Sequence, residues 1–275
     1  MKFFILAGLL AAMMGCATGA TQSRDLLLAP GSLPYYHSIE NVPFVNQAAG
    51  HCGPASLSMV MKHSGAEVSP ERLADEMYTP ELKGSLQNDL IGTARRNGMM
   101  AIPIYDFTNL FSEVTSGHPV IILENLGLSW VPQWHYAVVV GFDLRNEEII
   151  LHSGHEAFSH ESLKVFENSW RLADYWGLVI MPAGELSATA SERDHVAAAA
   201  GLELAHKWVE AELSYHRILI KWPQSLVALI GLANINFARG NLKEAKSFLK
   251  SALRFHPESE AAKHNLVVII NSADH

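Results

Sequence analysis

The sequence predicts an α+β domain followed by an all-α domain. In residues 41–183, amphipathic helical segments come first and short apolar strands come later, which is the order expected of an α+β domain. In residues 191–275, every periodic segment is helical, and matching residues recur at a spacing of 34. The small polar residues at positions 184–190 are therefore predicted to form a linker between the two domains.

The first 16 residues are typical of an export signal. Lys2 supplies a short positive region, and residues 3–14 form an apolar run that is too short to span a bilayer stably. No other segment reaches the roughly 18 apolar residues that a transmembrane helix needs. The sequence therefore predicts export by way of a signal peptide.

The residues MMGCATGA resemble the lipobox of bacterial lipoproteins, with Met13 where leucine is usual. The resemblance implies that Cys16 is lipidated and becomes the mature N-terminus, and that it anchors the protein to a membrane. Ala17 favours the outer membrane, facing the periplasm, over retention in the inner membrane. A plain secretory signal, cleaved nearby, is the alternative. Residues 17–40, which proline and glycine interrupt, are expected to form a tether.

Three amphipathic helices are predicted early in the α+β domain. The first begins at Cys52, and the second has Ser69 as its N-cap and Pro70 at its first position. The third ends just before the first strand. Five strands are then predicted, in the segments MMAIPI, HPVIILEN, WHYAVVVGF, EEIILHS and GLVIMP.

The 34-residue period of the C-terminal region relates Ala211 to Ala245 and Pro223 to Pro257. Residues 229–257 resemble a tetratricopeptide repeat, the region before them matches it less well, and the end supplies only the first helix of a third copy. Stacked helix pairs of this kind form a concave surface, so we expect this domain to bind a protein partner. A generic helical hairpin is the alternative.

Charge and composition exclude several classes of protein. The formal net charge of -8 provides no basic surface, so no nucleic-acid partner is expected. The 14 histidines are scattered without HxxxH spacing, and no CxxC occurs, so neither a metal nor another cofactor is expected.

Cys52 is a candidate nucleophile. If Cys16 is lipidated or removed, Cys52 has no partner for an intramolecular disulfide, because the sequence contains only two cysteines. It begins a predicted helix, where free backbone N–H groups and the helix dipole favour a thiolate. Gly53 would allow a substrate to approach closely, and Pro54 is tolerated in a first turn. The alternative is a small buried apolar residue.

A cysteine nucleophile also needs a base and donors for the developing oxyanion. His135 begins an apolar strand and could present its ring at the end of the sheet, although a core or loop histidine is the alternative. Gln47 lies five residues before Cys52, and its amide could donate beside the Cys52 N–H, unless it is a surface amide. His51 could tune the thiol or could be a solvated loop residue.

These residues carry a family resemblance. The motif Q-x4-CGPA after VPF, with HYAVVVGFD about 80 residues later, resembles the bacteriocin-processing peptidase-like group of papain-fold cysteine peptidases. The resemblance covers residues 41–183. It implies a papain-like peptidase domain with Cys52 as nucleophile, His135 as general base and acid, and Gln47 as oxyanion donor. The best-known members cut leader peptides after double glycine and are fused to transporters, whereas this sequence is closer to stand-alone exported relatives with tetratricopeptide repeats.

One departure concerns the third catalytic residue. The family usually places an aspartate on the strand after the histidine, where it orients the imidazole. Here that position is Ser153, or His152 if the register shifts by one residue. In an antiparallel hairpin, Ser153 falls roughly opposite His135 on the same face, so its hydroxyl could accept the imidazole N–H. A hydroxyl, however, offers no negative charge to an imidazolium.

The sequence thus predicts an exported, lipid-anchored cysteine peptidase that hydrolyses a peptide bond through a thioester on Cys52. The helical repeats would hold a protein partner or the protein or peptide substrate. Two alternatives remain open. One is a catalytically degenerate peptidase fold that serves as a binding protein. The other is a thioester acyltransferase, because the same intermediate can pass to an amine instead of water.

Overall fold

The computed structural model describes residues 20–47 and 50–272. The predicted signal peptide and the predicted lipidation site at Cys16 lie outside the described residues. Within the described part of the chain, no helix is both long enough and apolar enough to cross a membrane.

The first domain is built on an antiparallel sheet of seven strands. The strand order is β2-β7-β3-β4-β5-β6, and β1 pairs with β4. All five predicted strands are present, whereas β1 and β6 were not predicted. The strands are β1 Tyr36–Ser38, β2 Met99–Ile104, β3 Val120–Asn125, β4 Trp134–Asp143, β5 Glu148–Ser153, β6 Glu156–Ser162 and β7 Gly177–Pro182.

Helices surround this sheet, and the most buried of them begins at the candidate nucleophile. The helices of the first domain are α1 Gln22–Leu28, α2 Cys52–His63, α3 Pro70–Met77, α4 Gln87–Arg96, α5 Phe107–Thr115 and α6 Leu163–Arg171. Every residue of α2 from Gly53 to Met61 is buried, and the helix packs against β3, β4 and β7. Small residues in this run let the helix lie close to the sheet. The predicted α+β class is confirmed, and the packing fixes the first residue of α2 relative to the strands.

The N-terminal segment is folded onto the domain over the part that is described, which differs from the expected tether. The carboxylate of Glu167 on α6 accepts the backbone N–H groups of Thr21, Gln22 and Ser23, each at 2.9 Å. These bonds satisfy donors that the first turn of α1 leaves free. Strand β1 then joins the sheet beside β4. Both interactions are distant in sequence, so no local pattern predicted them.

The C-terminal region consists of helices over the described residues. They are α7 Glu192–Leu204, α8 Trp208–Lys221, α9 Leu226–Ala238, α10 Leu242–Phe255 and α11 Glu260–Ser272. Ala211 and Ala245, which are 34 residues apart, are both fully buried. Trp222 and His256, also 34 apart, end α8 and α10 with equivalent N–H bonds to the carbonyls four residues earlier, at 2.7 and 2.8 Å. The predicted all-α class and its 34-residue period are confirmed.

The segment predicted as a linker is held in place by a buried carboxylate. Glu113 on α5 is fully buried, and its Oε1 accepts the Ser187 hydroxyl at 2.5 Å, the Thr189 N–H at 2.8 Å and the Thr189 hydroxyl at 2.7 Å. Its Oε2 lies 2.7 Å from Nδ1 of His118. Nε2 of His195 on α7 accepts the N–H of Ser187 at 3.1 Å. The polar residues of this segment therefore connect the two domains through specific bonds.

The two domains also share one apolar core. Ala198, Ala199 and Leu202 on α7 are buried in the same cluster as the residues of the sheet, and α7 packs against β2. The repeats therefore dock on the first domain through this shared core as well as through the Glu113 network.

Candidate active site

Cys52 is the first residue of α2 and is partly buried. His51 precedes it with a non-helical backbone, and its ring stacks on Tyr78 with the ring centroids 5.3 Å apart. A side chain at position 53 would be crowded, because a Cβ there would lie 3.2 Å from Cβ of Ser85 and 3.5 Å from the ring of Tyr136. Gly53 therefore lets the loop that contains Ser85 approach the start of the helix closely.

A cleft of about 750 Å³ opens at Cys52. One wall is the loop of residues 82–87, and the other is the start of β4, residues 132–136. Leu123 of β3 and the turn at residues 172–174 complete it. Two of the described lining residues are charged, Lys83 and Asp174, and their charges are opposite in sign. Trp134 and Tyr136 also line the cleft.

His135 lines the same cleft as Cys52. Nε2 of His135 lies 3.0 Å from Oγ of Ser153, so the contact expected between these side chains is present. The register pairs Val138 with His152, and continuing it by one residue places Ser153 opposite Ala137, on the same face as His135. The contact with Ser153 engages Nε2, so Nδ1 is the ring nitrogen that this contact leaves available.

The alternative orienting residue, His152, does not reach the site. Its ring is fully buried, with Nε2 3.1 Å from the carbonyl of Val42 and Nδ1 accepting the N–H of Phe158 at 3.1 Å. Strand alternation directs it to the opposite face from Ser153. Of the two candidates from the sequence, Ser153 is therefore the one that contacts His135.

Gln47 lines the cleft, but its side-chain amide is fully engaged. Nε2 donates to Oγ of Ser56 and to the carbonyl of Tyr136, both at 3.1 Å, and Oε1 accepts the N–H of Gly154 at 2.9 Å. An amide has two N–H groups, so neither remains for an oxyanion in this arrangement. Gln47 thus fastens the loop before Cys52 to β4 and to the turn after Ser153. Its predicted role as oxyanion donor would require the bond to Ser56 to be exchanged.

The protonation of His135 follows from its burial. Removal from water lowers the pKa of His135 below its ordinary value, because burial penalises the charged ring. The ring is therefore neutral at pH 7 and able to accept a proton. The hydroxyl of Ser153 orients it without adding charge. Among the described residues, no group of histidine, cysteine and acidic side chains is arranged to hold a metal ion.

Comparison with known protein families gives two matches. The Peptidase_C39 like family matches residues 39–176, about half of the chain. This chain belongs to the Peptidase_C39 like family. The Tetratricopeptide repeat family matches residues 191–267, so this C39-like chain carries repeats after its peptidase-like domain. The predicted family and the predicted repeats are both confirmed.

Several solved structures are similar to the C39-like domain. A provisionally named C39-like peptidase from Bacillus anthracis is 18% identical, with a TM-score of 0.46 over 55% of this chain and 98% of that chain. The peptidase domain of Streptococcus ComA, a bifunctional ABC transporter of a quorum-sensing pathway, is 23% identical, with a TM-score of 0.43 over 52% and 99%. A double glycine motif protease from an AMS/PCAT transporter, solved with the leader peptide, is 21% identical, with a TM-score of 0.40 over 53% and 95%. None of the curated proteins compared matches the chain.

Beside the C39-like site, the strand pairing places an acidic residue that sequence reasoning missed. Glu124 on β3 is paired directly with His135 on β4, and it is 2% exposed. The family resemblance places the third residue on the strand after the histidine, where the family usually has its aspartate, and not on the strand before it. The available signal was a glutamate inside the apolar run HPVIILEN, because a strand buried on both faces rarely holds a charge.

Proposed function

We propose that this C39-like chain is a cysteine peptidase in which Cys52 is the nucleophile and His135 is the general base and acid. The observation that carries the proposal is the arrangement of the cleft. Cys52 at a helix N-terminus and His135 line the same cavity, and Ser153 holds Nε2 of His135 at 3.0 Å. A nucleophile, a base and a group that orients the base are the three parts that thiol catalysis requires.

The reaction then proceeds in two halves. The sulfur of Cys52 attacks the peptide carbonyl carbon while its proton passes to Nδ1 of His135, and His135 returns that proton to the leaving amine. Water then hydrolyses the thioester with His135 again as base. The backbone N–H of Cys52 is the first donor for the oxyanion. Gln47 is the second if its N–H turns from Ser56 into the cleft.

Peptides are the substrate class that this proposal assigns to the cleft. A peptide carries its donors and acceptors in the main chain, so a cleft with balanced charge and exposed apolar rims suits it. The apolar rims are Leu86, which is 53% exposed, and Trp134, which is 52% exposed. The repeats bind a protein partner or present the substrate protein. Cleavage after double glycine is not part of the proposal, because no residue of the cleft indicates it.

Labelling by a thiol-directed peptidyl electrophile tests this function. Cys52 is expected to react at least about a hundredfold faster than the thiol of glutathione at pH 7, since a positioned base contributes about 10²–10⁴-fold. The alkylated peptide that contains Cys52 is quantified by mass spectrometry, and Cys52→Ala is the blank. Reaction at the rate of glutathione would reject the peptidase.

A binding protein with a degenerate catalytic site is the second candidate. The neutral Ser153 and the lowered pKa of His135 favour it, since both leave an imidazolium without support. This candidate predicts that Cys52→Ala leaves the cellular phenotype of a deletion strain fully complemented. If the deletion strain that carries Cys52→Ala still shows the deletion phenotype, this candidate is ruled out.

We also propose that the protein is exported and anchored by a lipid on Cys16 to the outer membrane, facing the periplasm. The support is the lipobox-like MMGCATGA of the sequence. Metabolic labelling with palmitate and membrane fractionation test it. We expect Cys16→Ser to lose both the label and the membrane association, and retention of either would contradict the anchor.

A further inference from the structure

Glu124 is a buried carboxyl group placed directly opposite His135 in the β3–β4 pair. Directly opposed side chains in an antiparallel pair share one face, with Cβ atoms about 4.5–5.5 Å apart. Its Oε1 is buried and has no hydrogen-bond partner among the described residues. Burial, and secondly the charge of Glu161, raise the pKa of Glu124 to about 8. An unsatisfied buried acid is costly, so its position calls for a reason.

Two other buried glutamates in this fold have a structural role, and each is surrounded by hydrogen-bond donors. Glu113 receives bonds from Ser187, Thr189 and His118, and Glu167 receives the N-terminus of α1. In both, burial alone would raise the pKa, but the donors outweigh it and the pKa is lowered. Glu124 has no such set of donors around Oε1. It therefore does not have the surroundings of a structural anchor.

We propose that Glu124 is a positioning residue that acts through His135, with its carboxylate stabilising the imidazolium that His135 becomes during catalysis. This inference rests on the proposed function, because it requires a proton to pass from Cys52 to His135. His135 then lies between two strands that each assist it. Ser153 on β5 orients the ring, and Glu124 on β3 supplies the negative charge that a serine lacks.

Protons and charge balance in this step. The thiol of Cys52 gives its proton to His135, and Glu124 releases its own proton to water. The result is a thiolate, an imidazolium, a carboxylate and one proton in solution, so the net charge is unchanged. Burial penalises a lone imidazolium and a lone carboxylate, but the two charges together attract each other in the low-dielectric interior. Protonation of His135 therefore removes the reason for Glu124 to stay neutral.

Other ionisable groups lie on the elements that pack against β3, and they include Lys164 and Arg171 on α6 and Lys62 and His63 on α2. Glu161 on β6 is the second acid that acts on it, and burial also raises the pKa of Glu161. Glu167 on α6 is bonded to the N-terminus of α1, and Glu113 on α5 is bonded to His118. Strand β7 contains no ionisable residue. Among the described groups, His135 is the one whose positive charge Glu124 can pair with across its own strand pair.

The test is the pH dependence of Cys52 labelling by iodoacetamide in the full chain, with Glu124→Gln as the principal variant. Glutamine keeps the size and removes the charge, so the imidazolium loses its support. We expect labelling at pH 7 to fall about tenfold and hydrolysis to decline on the alkaline side about one pH unit earlier, which is what one pKa unit on His135 corresponds to. Glu124→Asp should retain most of the wild-type profile.

Two comparisons keep the result interpretable. Glu161→Gln removes the neighbouring acid that raises the pKa of Glu124, so its labelling should equal or exceed that of the wild type. A Glu124→Gln profile that superimposes on the wild type, with or without a change in unfolding free energy, overturns the role of Glu124 alone. Wild-type labelling no faster than that of glutathione overturns the proposed function and this inference with it.

Discussion

The variant Glu113→Ala is expected to lower the free energy of unfolding by about 3–5 kcal/mol, the range for removing one partner of a buried ion pair. The change removes the hydrogen-bond partner of four groups that contact this carboxylate. They are Nδ1 of His118, the Ser187 hydroxyl, and the N–H and hydroxyl of Thr189. It also leaves a cavity at a fully buried position. Urea unfolding followed by circular dichroism measures the loss.

Glu185→Ala is the matched control, since Glu185 contacts the same histidine from the surface. Its Oε1 lies 3.3 Å from Nε2 of His118, and its side chain is 47% exposed. We expect this variant to lose less than about 1 kcal/mol, as exposed ion pairs usually do. Because Ser187 and Thr189 join the two domains, Glu113→Ala should also make residues 184–190 the first site of proteolysis. Equal losses from the two variants would show that burial does not matter here.

The contribution of Glu113 depends on pH with a definite sign. Burial would raise its pKa, but bonds from His118, Ser187 and Thr189 outweigh burial and lower the pKa from 4.5 to about 2. An acid whose pKa is lowered by folding stabilises the fold above its unfolded pKa, and that stability is lost as the pH falls from 4.5 toward 2. At 1.36 kcal/mol per pKa unit, the contribution is about 3 kcal/mol.

The contribution of His118 to stability depends on pH with the opposite sign. The bond to Glu113 raises the pKa of His118 above 6.5, against the effect of burial. A base whose pKa is raised by folding stabilises the fold below its unfolded pKa. That contribution is lost as the pH rises through the pKa of the folded state. The difference in stability between the wild type and Glu113→Ala should therefore be largest between about pH 4.5 and 6.5.

Local patterns predicted the parts of the fold whose causes are local. Helix α3 begins where Ser69 accepts the N–H of Arg72, as its capping sequence indicated, and the apolar strands occur where the alternation placed them. Helix α1 depends instead on Glu167, which is more than 140 residues away. Strand β6 is an edge strand with mostly exposed residues, so it lacks the apolar alternation that marks the other strands.

In the candidate site, too, the contacts with local causes could be predicted and those that depend on the folded chain could not. The two-residue period of a strand was enough to place Ser153 on the face of His135, and the structure shows their bond. The partners of Gln47 could not be predicted, because Ser56, Tyr136 and Gly154 meet it only in the folded chain. Glu124 became visible only when the register of β3 against β4 was known. A sequence indicates which residues share a face, but the pairing of strands decides which of them meet.

The second large effect is expected at His135. His135→Ala should lower the rate of peptide hydrolysis, and of Cys52 labelling at neutral pH, by about 10²–10⁴-fold, because the base that accepts the thiol proton is gone. Ser153→Ala removes one neutral hydrogen bond of about 0.5–1.5 kcal/mol, which corresponds to roughly two- to tenfold in rate. Both rates are measured with the same electrophile and the same peptide, and urea unfolding confirms that each variant is folded.

The double variant decides whether Ser153 acts through the histidine. If the hydroxyl only orients the ring that it contacts at 3.0 Å, then His135→Ala combined with Ser153→Ala should be no slower than His135→Ala alone. Independent, additive losses would mean that Ser153 contacts the substrate instead. Ser153→Asp extends the test, since a carboxylate at this position raises the pKa of His135 against the effect of burial. We expect it to extend hydrolysis to higher pH, because the imidazolium that protonates the leaving amine then persists there.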